Sequence, residues 1–349
     1  MREPASERLS VPRIKSTPED FRVEEIPAYE PSGEGEHLFV RFEKRDLSTY
    51  DAVKKIAEAL RVDPRDAGVA GLKDKQAITV QTASFFRAQQ ADAEKLDLPA
   101  IRVISAKRHG HKLRPGHLAG NQFRIRILDV SAIQLQELKS RVTTVQTEGI
   151  PNAFGAQRFG RDGDNALRAQ KWLRGEERGP RDRRMRTLLF SALQAKVFNR
   201  VLEARREDGT WNRALAGDLL KKHETGGLFV CADVATDEER AKRGEVSPTG
   251  PMFGAKMREP EGDVRALEEA IVSRDLEGID VVKTRSLGAG TRRSLRIFAR
   301  DIQLIPEEQV RECAVQFMLP KGSFATTVLA HIVPGLDDGQ TETPTEEDE

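Results

Sequence analysis

GVAGLKDKQAITVQTASF, residues 68–85, passes from a glycine-punctuated loop into a run of β-favouring side chains, and the pattern predicts a strand over Ile78–Phe85. Lys73 and Asp74 therefore stand just before a strand, on a loop held by a sheet. Asp74 is a single carboxylate flanked by Lys73 and Lys75, whose charges favour the ionised form. A positioned carboxylate of this kind can serve as nucleophile or general base, and a Lys-Asp-Lys turn is equally at home on an inert surface.

Upstream, Phe21 and Val23, then Leu38, Val40 and Phe42, alternate with polar positions on either side of the turn-rich PSGEGE, which reads as strand, loop, strand. Ser48 followed by Asp51 resembles a capping box, and Val53, Ile56, Ala57 and Leu60 recur at helical spacing up to Asp63-Pro64. Downstream, Gln122–Leu128 alternates, with Phe123, Ile125 and Ile127 on one face and Gln122, Arg124 and Arg126 on the other. Ser131 and Gln134 open a helix expected to bury Ile133, Leu135, Leu138, Val142 and Val145, and Gly149 is placed to end it. From Pro151 to about Arg300 the texture turns to longer helices, clearest where Leu189, Leu193, Val197 and Val201 recur every fourth residue. Strand character returns at Cys313, Val315, Phe317 and Leu319, after which Ser323 can cap a helix carrying Ala325, Val328, Leu329 and Ile332.

The chain has 349 residues, long enough for about two domains and a sizeable core. Its 57 bases and 56 acids nearly cancel, but seven of the acids and none of the bases lie in residues 337–349, leaving the first 336 residues at +8. That tail is expected to be disordered, and the polar, Pro-containing stretch over 1–12 to be an arm. Two cysteines, Cys231 and Cys313, are too few for a disulfide framework. No apolar run approaches bilayer-spanning length, and MREPASERLS lacks the apolar centre of a signal peptide, so a cytoplasmic protein with no membrane partner is expected.

Residues 101–128 contain no acid and seven bases, Arg102, Lys107, Arg108, Lys112, Arg114, Arg124 and Arg126, beside His109, His111 and His117. So one-sided a charge favours a phosphate-binding track over a merely solvated loop, and RGPRDRRMR at 178–186 adds weak support. Lys107, Arg108, Lys112 and Arg114 are the candidates for contacts to a nucleic-acid backbone. The histidines lack a neighbouring carboxylate or cysteine and sit among cations, which argues against a metal. GPMFGAK at 250–256 has the wrong spacing for a phosphate loop, and no GxSxG, HExxH or helix-opening GxGxxG occurs.

Taken together, FRVEEIP (21–27), AGLKDKQAITVQ (70–81), HKLRPGHLAGNQFRIRI (111–127), PNAFGAQRFGRDGDN (151–165), SALQAKVFN (191–199) and LPKGSFATTVL (319–329) resemble, in order, the TruD family of tRNA pseudouridine synthases. The resemblance implies isomerisation of uridine, at position 13 in well-known members, by an aspartate at the place of Asp74 and with no cofactor. By the same match Phe21, Asn121, Phe123 and Phe324 look like target-uridine contacts, and Lys73 an electrostatic partner of Asp74. Each aromatic has a packing alternative, and Asn121 could be a turn residue. The fold implied is α+β: a pseudouridine synthase catalytic domain with a mixed, mainly antiparallel sheet over 13–150 and 303–336, carrying an inserted α/β TRUD domain over 151–302. The partner implied is tRNA, with no obligatory protein partner.

Two positions depart from the family pattern: Ala153 stands where an aromatic is frequent, and Ser294 where proline is common. A noncatalytic RNA-binding protein on the same scaffold is the competing function. A carboxylate glycosidase acting on a small nucleoside would need a second acid opposite the first.

Overall fold

The computed structural model describes residues 11–306, 311–333 and 335–336. The acidic tail and all but the last two residues of the expected arm lie outside them. The strands, in chain order, begin with β1 (Phe21–Pro27), β2 (His37–Arg45), β3 (Gly68–Val69), β4 (Ile78–Phe86), β5 (Ile101–His109) and β6 (Leu118–Ile127). They continue with β7 (Ile150–Pro151), β8 (Leu219–Lys222), β9 (Leu228–Val230), β10 (Val246–Met252), β11 (Thr291–Ser294), β12 (Arg296–Ile297), β13 (Arg300–Pro306) and β14 (Cys313–Pro320). The helices are α1 (Thr49–Ala59), α2 (Gln90–Ala93), α3 (Ala132–Glu148), α4 (Asn165–Arg174), α5 (Arg183–Glu207), α6 (Val234–Lys242), α7 (Gly262–Asp275) and α8 (Ala325–Ile332).

The described residues form two compact units, one drawn from 11–143 and from 299 onward and the other from 144–298. β7 pairs with β12, which brings Ile150 into the second unit, whereas β13 pairs with β14 and belongs to the first.

The first unit is built on an eight-stranded sheet of order β13-β14-β6-β1-β4-β2-β5, with β3 beside β4. β1 and β4 run parallel and every other pair is antiparallel. Period-two alternation sets its faces: Phe21, Val23 and Glu25 point inward along β1, and Phe123, Ile125 and Ile127 along β6. Leu38, Val40 and Phe42 of β2 and Ala83 and Phe85 of β4 bury against Ala52, Val53, Ile56 and Ala57 of α1.

α1 starts where Ser48 Oγ accepts the Asp51 N–H at 3.1 Å and donates to the Asp51 carboxylate at 2.7 Å. Ser48→Ala is expected to cost about 1 kcal/mol in urea unfolding; an unchanged midpoint would show that water replaces this cap. Ser131 and Gln134 form the reciprocal box of α3, each side chain bonding the other's backbone N–H. Ile133, expected in the core, is 71% exposed, because the first turn of α3 extends past the apolar stripe that begins at Leu138. At α8 the N-cap is Phe324, not Ser323, and no side chain bonds the helix start.

In the second unit α5 is the central helix. Leu189, Phe190, Leu193 and Val197 meet Ala169, Phe253 and Leu276, while Ala195, Phe198 and Leu202 meet Phe154 and Leu295. An antiparallel sheet of order β11-β10-β8-β9 and the β12–β7 pair complete this unit. Among its buried charges, Arg205 pairs with Asp218 at 3.0 Å and Arg292 with Glu268 at 2.6 Å, while Arg296 donates to main-chain carbonyls. Among the described residues no helix is long and apolar enough to cross a membrane.

Candidate active site

Asp74 lies in the loop between β3 and β4, and its main chain is fixed from below. The Nζ of Lys44, a fully buried side chain, donates to the Asp74 carbonyl at 2.7 Å. Thr49 Oγ1, in the first turn of α1, accepts the Lys73 N–H at 2.9 Å, and Asp46 N–H bonds the Ala77 carbonyl at 3.1 Å. The Asp74 carboxylate itself is 55% exposed. A reactive group is thus open to a ligand while its backbone is anchored to α1 and β2.

The carboxylate pairs at 3.5 Å with Lys15, whose Nζ also lies 4.2 Å from the centre of the Phe21 ring. Phe21 meets Phe123 edge-on at 6.2 Å, and Phe123 stacks on Phe317 at 5.3 Å. Lys15, Phe21 and this aromatic row therefore form one continuous wall running from Asp74. Phe21 and Phe123 are both buried, whereas Phe324 is 44% exposed.

Lys73, expected to serve Asp74, points elsewhere. Its ammonium meets the Glu25 carboxylate at 2.7 Å, both groups being buried, and Glu25 also accepts the Thr82 N–H at 3.3 Å. The sheet register sets Glu25 opposite Asn121 on β6 and Asn121 opposite Leu319 on β14. Among the described residues Asn121 Oδ1 is buried without a hydrogen-bond partner, an acceptor left open.

The basic track divides into committed and open cations. Arg108 is spent on the protein, donating to the carbonyls of Gly35 (3.2 Å) and Ala88 (3.4 Å) and to Gln89 (3.4 Å). Arg126 pairs with the buried Asp20 at 3.0 Å. Lys107 and Arg114 are exposed and Lys112 half-buried, and none of the three has a carboxylate partner among the described residues.

The histidines cluster around Tyr29, whose ring stacks on His109 at 5.2 Å and whose hydroxyl bonds His117 at 2.7 Å; the His109 and His111 Nε2 atoms lie 3.1 Å apart. Burial, then neighbouring positive charge, holds the pKa values of His37 and His109 below 6.5. The unfolded chain therefore takes up protons first, and stability is lost as pH falls below about 6.5. Urea unfolding at stepped pH should show this fall, and His109→Gln should flatten part of it; a level profile in the parent protein would contradict it.

Sequence reading missed Lys15, Glu25, Lys44 and Thr49. Glu25 alone carried a signal, as an acid at the third inward position of an alternating strand.

Known proteins resemble this chain in sequence and in fold. The model of the family described as tRNA pseudouridine synthase D (TruD) matches residues 10–177 and 181–332. A tRNA pseudouridine synthase D from Anaeromyxobacter sp. (strain Fw109-5) is 44% identical over 328 residues, 92% of each chain. One from Geobacter metallireducens is 34% identical, covering 92% of this chain and 95% of its own. The crystal structure of a Methanosarcina mazei protein assigned as tRNA pseudouridine synthase D superposes with a TM-score of 0.77 at 24% identity, over 93% of this chain and 94% of that one. The chain belongs to the TruD family of tRNA pseudouridine synthases.

Proposed function

We propose that the protein isomerises uridine to pseudouridine in tRNA, at position 13, with the Asp74 carboxylate as the reacting group and no cofactor, in the cytoplasm. The observation that carries this reading is the Asp74 geometry: an exposed carboxylate on an anchored backbone, bridged by Lys15 to the Phe21 ring. The reaction breaks the C1′–N1 bond, turns the uracil and joins C1′ to C5; the C5 proton leaves at the end and N1 takes up a proton, so the product is an isomer of the substrate. No net oxidation or phosphoryl transfer occurs, so a lone carboxylate is chemically sufficient, whether it attacks C1′ or first removes a ribose proton.

A uridine taken out of its helix needs a stacking surface and a polar reader. The open Phe324 ring suits the first role, and the unpaired Asn121 Oδ1 can accept the uracil N3–H. Phe21 and Phe123 form the floor beneath the base. Lys107, Lys112 and Arg114 are the cations available for RNA phosphates, while Arg108 holds the loops that present them. Incubating the purified protein with an unmodified tRNA transcript and mapping the product tests the reading. Pseudouridine at position 13 is expected; bound but unaltered tRNA would favour the noncatalytic alternative, and turnover of free uridine with tRNA ignored would favour the glycosidase.

A further inference from the structure

The segment PNAFGAQRFGRDGDN, residues 151–165, takes no part in the site above, yet it is rigidly built into the second unit. Asn152 Nδ2 donates to the Ser294 carbonyl at 2.8 Å, and Asn152 N–H to the Leu295 carbonyl at 2.8 Å. Asn199 on α5 clasps Phe154 from both sides, accepting its N–H at 2.8 Å and donating to its carbonyl at 2.9 Å. Phe154 is buried, edge-on to Phe198 at 5.5 Å.

Two guanidiniums are held against this ring. Arg293 lies 4.0 Å from the Phe154 centroid and Arg158 lies 5.3 Å from it. Arg293 uses Nε and one terminal nitrogen on Asn152, and Arg158 uses one terminal nitrogen on Ser191 Oγ at 3.3 Å. The remaining N–H groups of both have no hydrogen bond, and neither arginine has a carboxylate partner, among the described residues. The contrast with the adjacent Arg292 is direct, since that residue is clamped by Glu268. Burial, and then the like charge of Arg158, pulls the pKa of Arg293 down to about 10.

We infer that Arg158 and Arg293, braced on Phe154, form a binding site for a backbone phosphate of RNA. A phosphodiester supplies the missing negative charge, and its oxygens match the planar donor edges that the two side chains leave open, which an ammonium could not reproduce. Contact with the aromatic ring holds both guanidiniums in place in advance, so little side-chain freedom is lost on binding. The source of the phosphate rests on the tRNA reading; the anion site itself rests on this geometry.

Fluorescence anisotropy with labelled tRNA tests it. Arg158→Gln is expected to weaken binding about tenfold and to lower the slope of log affinity against log salt by about one, with Arg158→Lys intermediate. Phenylglyoxal footprinting of the unaltered protein provides a second readout independent of any variant: tRNA should shield Arg158 and Arg293, and millimolar inorganic phosphate should not. Equal shielding by inorganic phosphate would make the ligand a free anion and overturn the RNA assignment. A parent protein that binds tRNA while Arg158→Gln keeps its affinity and slope, or while footprinting shows no shielding, overturns this site and leaves the tRNA reading standing. A parent protein that does not bind tRNA overturns both.

Discussion

Asp74→Asn is expected to eliminate pseudouridine formation, by roughly 10⁴-fold or more, with tRNA affinity nearly unchanged. The substitution is close to isosteric, and the contacts that shape the loop use main-chain atoms that an asparagine retains: Lys44 bonds the carbonyl of residue 74, and Thr49 bonds the N–H of residue 73. What disappears is the charge and basicity that either route to C1′ requires. Release of tritium from tRNA carrying 5-tritiated uridine is the direct measurement, because the C5 hydrogen is lost only when the new bond forms. A variant that still releases tritium at a substantial fraction of the parent rate would remove Asp74 from the reaction, and a variant that neither reacts nor binds would point to a collapsed loop.

The second large effect concerns stability. Lys73 and Glu25 are a buried pair with side chains 6% and 2% exposed, so removing one partner strands the other's charge away from water. Lys73→Met should destabilise the first unit by about 3–5 kcal/mol in urea unfolding, and adding Glu25→Leu should recover much of that loss. If Lys73 instead acted only by supporting Asp74, the single variant would lose activity and keep its stability. The double-mutant cycle separates these outcomes, because only a structural pair gives strong coupling in the unfolding data.

These two cases show what the sequence does and does not disclose. Local rules located β1, β2, β4 and β6, the caps at Ser48 and Ser131, and the buried spacing along α5, since each depends on residues within a few positions of one another. The Asp74 loop was legible for the same reason. Partnerships across the sheet were not. Adjacency suggested that Lys73 serves Asp74, but neighbouring side chains on a loop diverge, and the ion pair is set by the inward parity of Glu25 on β1. Lys15 approaches Asp74 only because β1 runs parallel to β4, a pairing between distant segments that no local pattern encodes. The inward direction of Phe21 and Phe123 was readable from alternation; the open ring of Phe324 was not, because it depends on how the chain leaves β14.

The insertion of β14 beside β6 also governs what happens while the chain is being made. A ribosome releases residues 144–298 before the strand that completes the first sheet has been translated, so β6 waits with one edge unpaired and Asn121 on it. Phe324 emerges later still. A product terminated near residue 298 would leave that edge of β6 without its β14 partner, an adhesive strand edge that favours aggregation or proteolysis.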